Sequence, residues 1–185
     1  MGAPGAGKTS LLERTIQALS GELSIGVIEG DIRTSLDAER ISKKNVPVVQ
    51  LNTHGACHLD ANMIHNAIVH MDLKVLDLLI IENIGNLVCP AEFKVGEDHK
   101  VMLSSVPEGD DKPKKYPLMF KESKVLLLNK MDLMGHVDFN LERFKKGVYE
   151  VNPHIELFPI SCREGAGLEP WMDWIRRRVR KKDAK

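Results

Sequence analysis

The eight residues Gly2-Ala3-Pro4-Gly5-Ala6-Gly7-Lys8-Thr9 constrain the fold of this chain more than any others. They fit G-x-x-x-x-G-K-[ST] at every defined position, and the helix-forming run Ser10-Leu11-Leu12-Glu13-Arg14 follows at once. Glycines let successive backbone N–H groups turn inward around a phosphate, and the N-terminus of the following helix adds positive potential. Gly2, Gly5, Ala6, Gly7, Lys8, Thr9 and Ser10 are the expected phosphate contacts. Lys8 reaches the β and γ oxygens in this reading, and the Thr9 hydroxyl ligates Mg²⁺. A flexible glycine turn would need neither the lysine nor the hydroxyl. Such a loop sits between a buried strand and a helix, yet only Met1 precedes Gly2. The leading strand is therefore expected upstream of Met1, and stable folding is expected to depend on it.

The rest of the chain alternates short apolar runs with amphipathic stretches. Strands are predicted at Ser24 to Glu29, Val46 to Leu51, Leu76 to Glu82, Lys100 to Val106, Lys124 to Asn129 and His154 to Ile160. Helices are predicted at Lys8 to Ser20, Thr34 to Lys44, Leu59 to Met71, Asn140 to Val151 and Leu168 to Lys182. This order implies an α/β fold of the P-loop NTPase type, a mostly parallel sheet with helices on both faces and ligands at the carboxyl ends of its strands. The 185 residues suit one domain over residues 1–185. The charged, proline-containing stretch Pro107 to Ser123 is expected to be a mobile surface excursion within that domain.

Composition removes some functions. Lys plus Arg and Asp plus Glu both total 26, so no global charge favours nucleic acid or a membrane, and only Arg176 to Lys185 is locally basic. Apolar runs such as Leu78 to Ile81 fall far short of the ~20 residues of a membrane span. The 3 cysteines, Cys57, Cys89 and Cys162, are too scattered for a disulfide framework, which fits a reducing cytoplasm.

Asn129-Lys130-Met131-Asp132 follows an apolar strand and has the form N-K-x-D. A carboxylate at Asp132 accepts from the N1–H and N2–H₂ of guanine, a donor pair that adenine lacks. Ser161 and Cys162, after the last strand, are expected to give a backbone contact to the guanine oxygen. GTP and GDP are thus the expected ligands. Small GTPases commonly place D-x-x-G at the metal switch, where this chain has Glu82-Asn83-Ile84-Gly85. Glu82 is expected to hold Mg²⁺ or its water, Asp31 to approach the same ion, and the Gly85 N–H to sense the γ-phosphate. Asp37 either acts on the attacking water or caps its helix. Asn86, not glutamine, follows Gly85, and Arg33 is the one arginine near enough to help, so slow intrinsic hydrolysis is expected.

Cys57 and His58 open one helix, and Cys89 follows the Glu82 strand. Two thiols and an imidazole suit Zn²⁺ or Ni²⁺, with a water or a second protomer completing the shell. The spacing alone fits equally two buried cysteines and a histidine at a helix start. His65 and His70 are expected at the surface.

From Gly2 to Trp174 the chain resembles the nickel-incorporation GTPases of hydrogenase maturation, the HypB family, in the signal-recognition and MinD-like branch of P-loop GTPases. The resemblance rests on Glu29-Gly30-Asp31, Asp37-Ala38-Glu39-Arg40-Ile41, Cys57-His58-Leu59-Asp60-Ala61, the block Glu82 to Phe93, and Lys112-Pro113-Lys114-Lys115-Tyr116-Pro117. It implies that Cys57, His58 and Cys89 bind metal. It also implies a GTP-promoted homodimer that delivers nickel, a nickel-chaperone partner and the hydrogenase large subunit as client. The alternatives are a metallocentre-assembly GTPase of the urease type, whose Cys-Pro-His motif would need histidine where Ala91 stands, or a P-loop small-molecule kinase, which has no use for N-K-x-D.

Overall fold

In the computed structural model, residues 1–31, 41, 44–53 and 55–183 are described, the side chains of Asp31 and of residues 180–183 excepted. The expected helix Thr34 to Lys44, with Asp37 and Arg33, thus lies almost entirely outside the described residues. The phosphate loop runs into α1 (Lys8–Leu19) through Gly7, whose φ of 100° a side chain would strain. Leu11, Leu12, Thr15, Ile16 and Leu19 fall on one face of α1 and are buried. Trp171 on α7 (Glu169–Asp183) donates its indole N–H to the Thr15 hydroxyl at 3.0 Å and pins the two helices together.

The strands are β1 (Ile25–Asp31), β2 (Val48–Asn52), β3 (Leu78–Glu82), β4 (Val101–Ser105), β5 (Val125–Asn129) and β6 (Glu156–Pro159). Every pairing between them is parallel, as a covered α/β sheet requires. They form two halves, ordered β2-β1-β3 and β4-β5-β6. Side chains alternate between faces: Leu103, Val125 and Leu127 join the core of α1 and α7, whereas Met102, Leu126 and Leu128 pack with Phe120, Phe144 and Val148. A third cluster sets Ile28 against Leu59, Ile64 and Ala67 of the α2 (Ala61–Ile68) region, and Cys89–Glu92 forms the single turn α3. Asp60 caps α2 by accepting from the Met63 N–H at 2.8 Å, and Asn140 caps α6 (Leu141–Val151) through the Arg143 N–H at 2.9 Å.

The stretch Pro107 to Ser123 corrects an expectation. Far from a mobile excursion, it holds the 3₁₀ turn Val106–Glu108, α4 (Lys112–Lys115) and α5 (Pro117–Glu122). Met119 and Phe120 are wholly buried, at 0% exposure. The surface lysines had masked this short apolar anchor, and the prolines stand in first helical turns, where no N–H is needed. Asp110, 6% exposed, receives the Arg143 guanidinium at 2.7 Å on both oxygens and the Asn140 N–H at 2.8 Å. Asn152 donates to the Phe120 and Ser123 carbonyls at 3.0 and 2.9 Å.

The locally basic end of the chain is partly neutralised. Arg176 contacts Glu22, Glu169 and Asp173 at 2.7 to 2.9 Å, and Arg178 lies over the Trp174 ring. Among the described residues no helix is long and apolar enough to cross a membrane.

β3 and β4 do not pair with each other. Met1 and Gly2 lie at one end of the gap: the Met1 ammonium donates to the Val101 carbonyl at 2.9 Å, and the Leu103 N–H donates back to Met1 at 2.8 Å. Burial, then the Lys8 charge, push that ammonium down to about 5. A cavity of about 1260 Å³ runs along the gap, lined by Leu78 to Glu82, Val101, Leu103, Leu11, Trp171 and Ile64.

Candidate functional site

The phosphate loop, the end of β5, the end of β3 and a thiol cluster meet at the carboxyl edge of the two half-sheets. Lys8 folds over the loop, its ammonium 3.5 and 3.3 Å from the carbonyls of Gly2 and Ala3. Ser10 lies in the first turn of α1.

The base corner is tied together by side chains. Asn129 donates to the Ala6 carbonyl at 2.9 Å and accepts from the Cys162 N–H at 3.0 Å, so it joins the loop, β5 and the turn after β6. Lys130, at φ 62°, crosses to the Gly5 carbonyl at 2.8 Å. Asp132 accepts from the Ser161 hydroxyl at 2.6 Å, which holds its carboxylate in place and leaves it further lone pairs for a ligand. The structure therefore brings Asn129, Lys130, Asp132, Ser161 and Cys162 together. Cys162 contributes backbone; burial pushes its thiol up to about 11 and keeps it protonated at neutral pH.

At the metal switch, the Thr9 hydroxyl donates to Glu82 at 3.0 Å. Strand register sets Glu29 beside Glu82, both buried. Glu29 reaches Glu82 through strand register alone, which no local motif in the sequence announces. Asp31 closes β1, but its side chain, like Asp37, lies outside the described residues. Gly85 rests on the loop: a Cβ there would stand 3.0 Å from the Pro4 backbone, so a larger residue would press the loop aside by a few tenths of an ångström. The Thr9 and Glu82 oxygens suit a hard cation such as Mg²⁺.

Cys57, His58 and Cys89 converge, their ligand atoms all within 4.8 Å of one another. The two sulfurs lie 2.8 Å apart, and the Cys57 sulfur is 3.6 Å from His58 Nδ1. The Cys57 thiol, by hydrogen bonding, raises Cys89 above the usual thiol value. His58 stacks on Phe93 at 4.1 Å between ring centroids, which fixes its imidazole. Cys57 is exposed and Cys89 half-buried, against the two buried cysteines that spacing also allowed. Thiolate and imidazole ligands suit Ni²⁺ or Zn²⁺, and three protein ligands leave a position open.

Two residues that sequence reasoning gave no structural role hold this cluster to the switch. Asn83, buried, accepts from the Leu59 and Ile84 N–H groups at 3.0 and 2.9 Å. Asn86 donates its backbone N–H to the Gly2 carbonyl at 3.1 Å and reaches Cys57 and Cys89 with its side chain. His65 and His70 are exposed, away from the cluster.

The chain is similar to known proteins over most of its length. Residues 1–159 match the family described as CobW/HypB/UreG, nucleotide-binding domain. The hydrogenase maturation factor HypB of Azotobacter vinelandii is 51% identical over 175 residues, covering 95% of this chain and 58% of that protein. The chain thus spans little more than half the length of that relative. The crystal structure of HypB from Archaeoglobus fulgidus superposes with a TM-score of 0.90 at 37% identity, over 97% of this chain and 87% of that one. HypB from Helicobacter pylori, crystallised in complex with nickel, superposes with a TM-score of 0.92 at 36% identity, over 98% of this chain and 86% of that one. The chain belongs to the CobW/HypB/UreG family of nucleotide-binding domains, and within it to the HypB proteins.

Proposed function

We propose that this chain is a single GTP-binding domain, residues 1–185, that hydrolyses GTP and delivers nickel in hydrogenase maturation. Its nucleotide state controls dimerisation and the release of metal. One observation carries the reading: the thiol and imidazole cluster sits on the same edge as the phosphate loop, with only Asn83 to Val88 between the switch acid Glu82 and the ligand Cys89.

Guanine is read by Asp132, which the Ser161 hydroxyl holds in place. The loop amides and Lys8 bind the phosphates, and the Gly85 N–H meets the γ-phosphate. Thr9, Glu82 and Asp31 would hold Mg²⁺, which when bound would neutralise phosphate charge, and Asp37 acts on the attacking water. Asn86 is too short to orient water as glutamine does, so turnover is slow and hydrolysis times a switch. Nickel is the cargo, held by Cys57, His58 and Cys89; Zn²⁺ suits the same donors. The open position is filled across a homodimer axis by a second copy. The nickel complex of the Helicobacter pylori relative supports the cargo. A nickel chaperone supplies the metal and the hydrogenase large subunit receives it, in the cytoplasm.

Sedimentation with GDP and with a non-hydrolysable GTP analogue, beside a phosphate-release assay, tests this reading. A dimer promoted by the analogue and slow release of phosphate are expected. A monomer in both states with no turnover would overturn it.

A further inference from the structure

We infer that Asn86 is the positioning residue through which the phosphate loop sets the Cys57 and Cys89 thiols. This rests on the reading above, in which nucleotide state governs the metal. The backbone of Asn86 belongs to the nucleotide side: its N–H donates to the Gly2 carbonyl at 3.1 Å, in a bridge between Gly2 and Asn86. Its neighbour Gly85 lies flat on Pro4, so closely that an added Cβ would sit 3.0 Å from the Pro4 Cα. A displacement of the loop at Pro4, or of Gly85 towards a γ-phosphate, must therefore carry Asn86 with it.

The side chain of Asn86 belongs to the thiol side. Its Oδ1 accepts from the Val88 N–H at 2.8 Å, which fixes the plane of the amide. The Nδ2 donors then point at the Cys89 sulfur and the Cys57 carbonyl, both at 3.4 Å. One amide thus touches both thiol-bearing segments, which are 32 residues apart in sequence. Asn83 supplies the fixed reference: buried, it holds the segment after His58 to the start of the switch. A shift of Asn86 against Asn83 changes how Cys89 stands towards Cys57 and opens or closes the donor set.

An amide serves here where its relatives in shape do not. Aspartate has nearly the same outline but presents only acceptors to a sulfur, alanine reaches nothing, and glutamine keeps the donors on a longer stem. A residue that merely capped the turn at Val88 would be replaced well by aspartate.

The test follows the alkylation rates of Cys57 and Cys89 by iodoacetamide in the metal-free chain, with GDP and with a non-hydrolysable GTP analogue, in the wild type, Asn86→Ala, Asn86→Asp and Asn86→Gln. Thermal unfolding confirms that each variant is folded. In the wild type the Cys89 rate should differ about fivefold between nucleotide states, within the usual range for coupled residues. Asn86→Ala and Asn86→Asp should lose that difference, and Asn86→Gln should keep part of it. Equal rates in the two nucleotide states of the wild type, or a difference that survives in Asn86→Ala or Asn86→Asp, overturns the relay. Nickel titration of the same samples separates the two readings: metal affinity indifferent to nucleotide, with the alkylation difference intact, refutes nickel control and leaves the relay standing.

Discussion

The half-sheet β4-β5-β6 and the half-sheet β2-β1-β3 contain similar apolar runs but hold them differently. Val125 to Leu128 on β5 are fully buried, whereas Leu78 to Ile81 on β3 are half-buried because the cavity replaces a neighbour on one side. The contrast continues at the carboxyl ends. Asn129 and Asp132 on the first half are cross-tied to Ala6, Cys162 and Ser161 by side chains. Cys57 and Cys89 on the second half are more exposed, and two asparagines tie them to the switch. In the proposed function one end recognises and the other moves, and burial depends on what flanks a strand as much as on its sequence.

The largest expected effect sharpens the contrast in packing. Phe120→Ala, in the core of the β4-β5-β6 half, should cost ~3 to 5 kcal/mol by urea unfolding, while Leu79→Ala on β3 should cost about 1 to 2. Equal losses would erase the distinction. Next comes Asp132→Asn, which should weaken GTP by about 100-fold, ~3 kcal/mol, and favour xanthine nucleotides, whose 2-carbonyl accepts from the new amide. Unchanged guanine preference in competition binding would break the account of the rigid corner.

Asp110→Asn should cost about 2 kcal/mol at neutral pH, since it removes a charge-assisted pair that anchors the α4 and α5 stretch. Burial raises the Asp110 carboxyl, but the Arg143 guanidinium and the Asn140 N–H outweigh it and hold it below its ordinary value. A depressed carboxyl contributes stability above the unfolded value and loses it as pH falls through the folded one. The gap between wild type and variant should therefore stay constant from neutral pH to about 5 and close below about 4. A gap that widens on acidification would contradict the assignment.

A smaller effect concerns the gap in the sheet. By hydrogen exchange, β3 amides should exchange about tenfold faster than β5 amides, since β3 is half-buried and β5 fully buried. Equal exchange rates on the two strands would break the comparison.

Much of this was legible in the sequence because it obeys local rules. The glycines and Lys8-Thr9 demand a strand-loop-helix junction, and runs such as Val125 to Leu128 announce strands whatever their neighbours. Cys57, His58 and Cys89 could be named as one donor set from the sequence, but spacing alone left two buried cysteines open, since the convergence depends on two strand ends from different parts of the chain. Less visible were features that only tertiary pairing creates. Glu29 gains its place beside Glu82 from strand register, and Asn83 and Asn86 act through backbone groups that carry no sequence signature. Met119 and Phe120 were hidden among lysines that stay in water while the apolar pair turns inward.

The central claim is that the nucleotide bound between the halves and the metal on the moving one are coupled, and calorimetric titration of Ni²⁺ into the GDP and GTP-analogue forms tests it most directly. The account predicts affinities that differ by ~1 to 3 kcal/mol, matched by an equal effect of Ni²⁺ on nucleotide affinity because binding linkage is reciprocal, with the difference lost in Cys89→Ala. Equal Ni²⁺ affinity in both forms, or a Cys89→Ala protein that binds Ni²⁺ as the wild type does, would contradict it.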